Sequence, residues 1–120
     1  MPVLRWNTSG ITIAGNGSSG NANNRFNNPR DIILDHANSF YIADAFNHRI
    51  QKFLSGSLNG TTIIGNGTVG SSQNQLNSPS RIIFDSNENM YIADLYNHRI
   101  QFWHKNDLST STIAGITGEF

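Results

Sequence analysis

Two sets of four residues could do chemistry: Asp44, Asn47, His48 and Arg49, and fifty positions later Asp94, Asn97, His98 and Arg99. A carboxylate, an imidazole and a guanidinium this close together suit proton transfer beside a bound anion. The same spacing also suits a scaffold. An aspartate opening a tight turn accepts backbone N–H groups, asparagine tolerates left-handed geometry, and a following arginine neutralises the carboxylate. The set recurs identically in each copy, so Asp44, Arg49, Asp94 and Arg99 are expected to form a structural turn network, and no residue is assigned as catalytic.

Metal chemistry is not expected either. His48 and His98 are the only recurrent histidines, the repeat supplies no third ligand, and zinc wants three or four that converge. His36 and His104 fall outside the repeated pattern. Asp85-x-Asn87-x-Asn89 imitates the opening of a calcium loop but lacks its glycine and its distant glutamate, and the other copy reads Asp35-x-Ala37-x-Ser39. Gly15-Asn16-Gly17-x-x-Gly20 imitates a phosphate-binding fingerprint, yet no helical pattern follows to present its amides. No cofactor is implied.

The elements that position these sets follow from the repeat. Tyr41-Ile42-Ala43-Asp44 returns as Tyr91-Ile92-Ala93-Asp94, Pro29 as Pro79, Asp35 as Asp85 and Gly65 as Gly115, with no insertion between. A fixed period marks one supersecondary unit whose copies bury their apolar faces against each other. No window carries helical periodicity. Short β-rich runs occur instead: Ile32-Ile33-Leu34, Phe40 to Ala43, Ile50 to Leu54 and Thr61 to Ile64, separated by turn clusters such as Asp35 to Ser39. Consecutive apolar residues in these runs predict sheets covered on both faces. Four-stranded antiparallel sheets stacked face to face around an axis are propeller blades. The predicted fold is therefore all-β, a partial β-propeller: a half blade over 1–15 (strands three and four), and full blades over 29–65 and 79–115.

Composition bounds the partners. At 120 residues the chain allows one small domain, and its eight basic and eight acidic residues produce no long-range field for nucleic acid. No apolar run approaches the length that spans a membrane, and Met1 to Asn7 lack the basic-then-apolar pattern of a secretory signal. The chain has no cysteine and so no disulfide. Its compartment stays open.

Pro29…Tyr41-Ile42-Ala43-Asp44-x-x-Asn47-His48-Arg49-Ile50-Gln51-x-Phe53, repeated from Pro79 to Trp103, resembles the NHL-repeat propeller family. The resemblance implies NHL-type blades, and a larger ring of which this chain is a part or into which it assembles. It also implies a binding module that recognises proteins, or RNA in some members. A minority of the family are enzymes, among them an amidating lyase with metal-bound histidines, which makes a metal-dependent lyase-like fragment the weakest of the implied readings. The family commonly has glycine two residues after the proline, where this chain has Asp31 and Arg81. These two are expected to pair across neighbouring strands at a channel mouth.

In such a meander the link before the first strand and the turn after the second share one face. Arg25, Phe26, Arg30, Arg81, Asn47, His48, Asn97 and His98 are the candidate binding residues there, opposite Asp35, Asp85 and Glu88. Protein or peptide recognition is the leading expectation. Single-stranded RNA is the alternative, through the arginines with Phe26 and Tyr96 as stacking platforms. Self-association through exposed end blades is a third.

Overall fold

The computed structural model describes residues 10 to 115. They form two four-stranded antiparallel sheets, each a simple meander. The first runs β1 (Pro29–Leu34), β2 (Phe40–Asp44), β3 (Arg49–Phe53) and β4 (Thr61–Ile64). The second runs β5 (Pro79–Phe84), β6 (Met90–Asp94), β7 (Arg99–Trp103) and β8 (Ser111–Ala114). The register is the same in both: Ile32, Ile42, Gln51 and Thr62 stand abreast in one, and Ile82, Ile92, Gln101 and Thr112 in the other.

Each hairpin between first and second strands is built by its aspartate. Asp35 Oδ1 accepts the Ala37 and Ser39 amides at 3.0 and 2.9 Å, while Oδ2 accepts the Tyr41 hydroxyl at 3.0 Å. Burial pushes the Tyr41 phenol up, and the Asp35 carboxylate beside it adds to the shift. Asp85 treats Asn87 and Asn89 in the same way. The calcium-like spacing is thus a hairpin turn, with Asn38 and Glu88 in left-handed conformation at its tip.

The sheets pack face to face. Tyr41, Ala43, Ile50 and Ile64 of the first form one core with Ile82, Met90, Ile92 and Trp103 of the second, sealed by Leu76 from the link. Opposite faces of the repeat meet here, so the joint is head to tail. The other face of the first sheet, Phe40, Ile42 and Phe53, is covered by Phe26 and Ala14.

Several expectations need correction. Coverage on both faces holds for β2, which is buried throughout, but Ile32 of β1 is 44% exposed, burial alternates along β6 and Ile83 on the outer face is 61% exposed. Thr12 to Gly15 carries no ladder; its expected partner, Val3 to Trp6, and with it most of the half blade, lies outside the described residues. Arg81 does not point to the turn end. A bulge between Pro79 and Arg81 sets two residues of β5 against one of β6, and this turns Arg81 onto the open sheet face opposite Ala93. Nor does Asp31 form an ion pair with Arg81. Its two oxygens accept backbone amides instead, Ile32 at 2.9 Å and Ile82 across the joint at 2.8 Å.

Candidate functional site

The aspartate, asparagine and arginine of each set are gathered where the second strand turns into the third. Asp44 ends β2, a 3-10 turn covers Ala45–Asn47, and His48 closes it in left-handed conformation (φ 53°), its amide bonded to Ala45 O at 3.0 Å. Only a residue tolerating positive φ can sit there, and histidine does so at some cost. Gly65 at the end of the neighbouring strand is forced: at φ +85° its backbone lies so close to the turn that a Cβ would stand 2.3 Å from His48 O. Gly115 meets His98 in the same way.

The Asp44 carboxylate is fully buried and fully engaged. Oδ1 accepts the Asn27 amide at 2.8 Å; Oδ2 accepts Arg49 Nε and Asn47 Nδ2, both at 2.8 Å. The guanidinium continues into the preceding link and donates to the carbonyls of Asn21, Ala22 and Arg25, each at 3.0 Å. Asn47 also reaches Gly20 O at 2.8 Å. The second copy repeats the device: Asp94 takes Asn77 N, Asn97 and Arg99, and Arg99 donates to Ser71, Ser72 and Gln75 carbonyls. One buried ion pair with a full set of partners therefore staples each link to each turn. Each carboxylate thus accepts three hydrogen bonds, from one amide, one carboxamide and one guanidinium, with its side chain fully buried.

The candidate binding residues separate accordingly. Asn47 and Asn97 are bound inward, and His48 Nδ1 accepts the Ser78 amide at 3.0 Å, tying the first turn to the start of β5. Phe26 is half-buried and packs against the core of the first sheet, 5.6 Å from the Phe53 ring, rather than standing free at the turn end. Arg25, Arg30 and His98 remain at the surface. At the opposite end of the sheets Glu88 joins the two hairpins, accepting the His36 amide at 2.6 Å and Lys105 Nζ at 2.7 Å. Among the described residues no three His, Cys, Asp or Glu side chains converge on a point that could hold a metal.

Sequence reasoning singled out Tyr96 but missed the other exposed apolar residues of the turns, Phe46 and Leu95. Phe46 and Tyr96 occupy the middle of the 3-10 turns and Leu95 opens the second, and all three are exposed. A usable signal was present: aromatic and aliphatic residues sit between Asp and Asn of a turn whose other members are consumed. Beside the first turn a polar cleft of about 420 Å³ is lined by Asn21, Asn47, Arg49, Thr62 and the Gly65-to-Thr68 loop. A scan against protein-family models gave no match, and a search of curated proteins gave none.

Proposed function

We propose that this chain is a non-catalytic protein- or peptide-binding module of propeller-type repeats resembling the NHL family, and that it recognises its partner with the turn end. One observation supports this above the others. The buried Asp–Arg–Asn set holds each turn against its link while Phe46, Leu95 and Tyr96 project from the turns. Aromatic anchors on a preorganised loop bind with little loss of conformational entropy. The adjoining polar cleft offers hydrogen-bonding groups for an extended segment.

The test is selection of peptides from a displayed random library on the whole chain, followed by titration of the winners against Phe46→Ser with Tyr96→Ser. Affinity is expected to fall at least tenfold, about 1.4 kcal/mol. Undiminished binding by the double variant overturns the reading. Tight capture of a single-stranded RNA that disappears steeply with salt would transfer the site to nucleic acid, through Arg25, Arg30 and Tyr96.

A further inference from the structure

The joint inside the chain uses the two different faces of the repeat, so each face is left without its counterpart at one end. On the second sheet the open face carries Arg81, Ile83, Tyr91, Ala93 and Ile100. Its equivalents in the first sheet, Tyr41, Ala43 and Ile50, are buried in the joint. On the first sheet the other face is incompletely covered: Ile32 is 44% exposed, against 1% for Ile82 at the same position within the joint. A notch of about 240 Å³ lies there between Ile13, Ala14, Phe26, Pro29 and Ile32.

Two further observations say what fits. Thr12-Ile13-Ala14-Gly15, seated on the first sheet through Ala14, is identical in sequence to Thr112-Ile113-Ala114-Gly115, which forms the last strand and its end. One end of the molecule thus already holds a copy of the other end's strand. That copy is lightly held, since no backbone group of residues 10–17 bonds to another backbone group among the described residues. The charges agree as well. Asp31 reaches across the inner joint to the residue beside Arg81. In an equivalent joint between chains, Arg81 takes the place of Asp31 over the Ile32 amide of the other copy, and its charge lies beside the Asp31 carboxylate that holds that amide, without a direct ion pair. Apposing two second sheets directly would instead set Arg81 against Arg81.

We propose that the open face of the second sheet docks on the first sheet of a second copy of this chain, head to tail, with Thr112 to Gly115 displacing Thr12 to Gly15 of its neighbour. A heterologous contact of this kind gives a ring where the rotation closes and a filament where it does not. The contact is separate from the turn end that binds peptide in the reading above.

Sedimentation velocity of the whole chain over a concentration series tests it. Species above the 13.2 kDa of one chain are expected to grow with concentration. Ile83→Asp, at a position already exposed, is expected to return the chain to one-copy mass, and Arg81→Ala to weaken association about fivefold. Orientation is read by cross-linking, because the chain has no cysteine of its own. Ile32→Cys mixed with Ile83→Cys is expected to join through a short bismaleimide. A wild-type chain at one-copy mass throughout, an oligomer indifferent to Ile83→Asp, or self-cross-linking of Ile83→Cys each overturns the proposal. Phe46→Ser with Tyr96→Ser leaves the mass unchanged, so failure of peptide binding and failure of docking are told apart.

Discussion

Gln51 and Gln101 stand at the same register in the two sheets, both fully buried, and their surroundings treat them differently. Gln101 accepts the Thr112 hydroxyl at 2.5 Å and donates Nε2 to Thr110 Oγ1 at 2.8 Å, and that hydroxyl in turn donates to Gln73 O at 2.9 Å. Gln51 accepts from Thr62, but its Nε2 has no partner. The residue that would supply one is Gly60, where a Cβ would lie 2.6 Å from the Phe53 ring. In the second copy the ring is Trp103, which donates its indole N–H to Asp107 O at 2.9 Å, and threonine is accommodated. The ladder is common to both repeats, whereas polar satisfaction is decided by one ring and one small residue on the neighbouring loop. An identical residue at an identical register need not have an identical worth.

The sharpest challenge to this comparison lies where the copies look equivalent. Arg49→Ala and Arg99→Ala each strand a buried carboxylate and release three link carbonyls, so each is expected to cost about 3–5 kcal/mol in urea unfolding. A loss below about 1 kcal/mol in either would mean that the two staples are not the same device. The glutamines should then part company. Gln101→Leu is expected to cost about 1–2 kcal/mol because it breaks a satisfied buried network, while Gln51→Leu is expected to be near neutral because it also removes an orphaned donor. Equal losses would erase the distinction.

The smallest effect concerns the hairpin tips, where the first copy has Asn38 and the second Glu88. Lys105 first, and the His36 amide next, hold the Glu88 carboxyl below the usual carboxylate range. A carboxyl whose pKa is lowered by folding contributes stability above its unfolded pKa and loses it as pH falls through the folded one. Glu88→Gln should therefore hold its urea midpoint more nearly constant than the parent does as pH falls below the ordinary glutamate range of about 4.3, since the variant lacks that titration. An acid limb unchanged by the substitution would show that the bridge between hairpins contributes nothing.

Much of this was legible in the chain. The aspartate turns, the four runs per repeat and the Asp44–Arg49 staple follow from local chemistry that needs no knowledge of neighbours. Phe26 was misplaced because it sits in a link of Gly, Asn and Ser that reads as surface; its ring is drawn inward only because the first sheet offers Phe53 and Phe40 to cover. Arg81 was misplaced because one inserted residue in β5 inverts the side on which everything after it emerges, and a bulge leaves no composition signal there. The pairing of Asp31 with Arg81 failed for a third reason. Asp31 reaches into the joint, where it accepts the Ile82 amide at 2.8 Å, whereas Arg81 emerges on the far, open face of the second sheet.

Gly65 and Gly115 set a rule for anyone who would lengthen the molecule. Each closes its sheet by laying bare backbone on the carbonyl of a turn histidine, in a space where not even a methyl group fits. Units added in tandem at the fifty-residue period would have to carry glycine at that one position, whatever freedom the rest of the linker enjoys. Engineered arrays built from this unit that broke the rule would be expected to fray at every seam rather than at one.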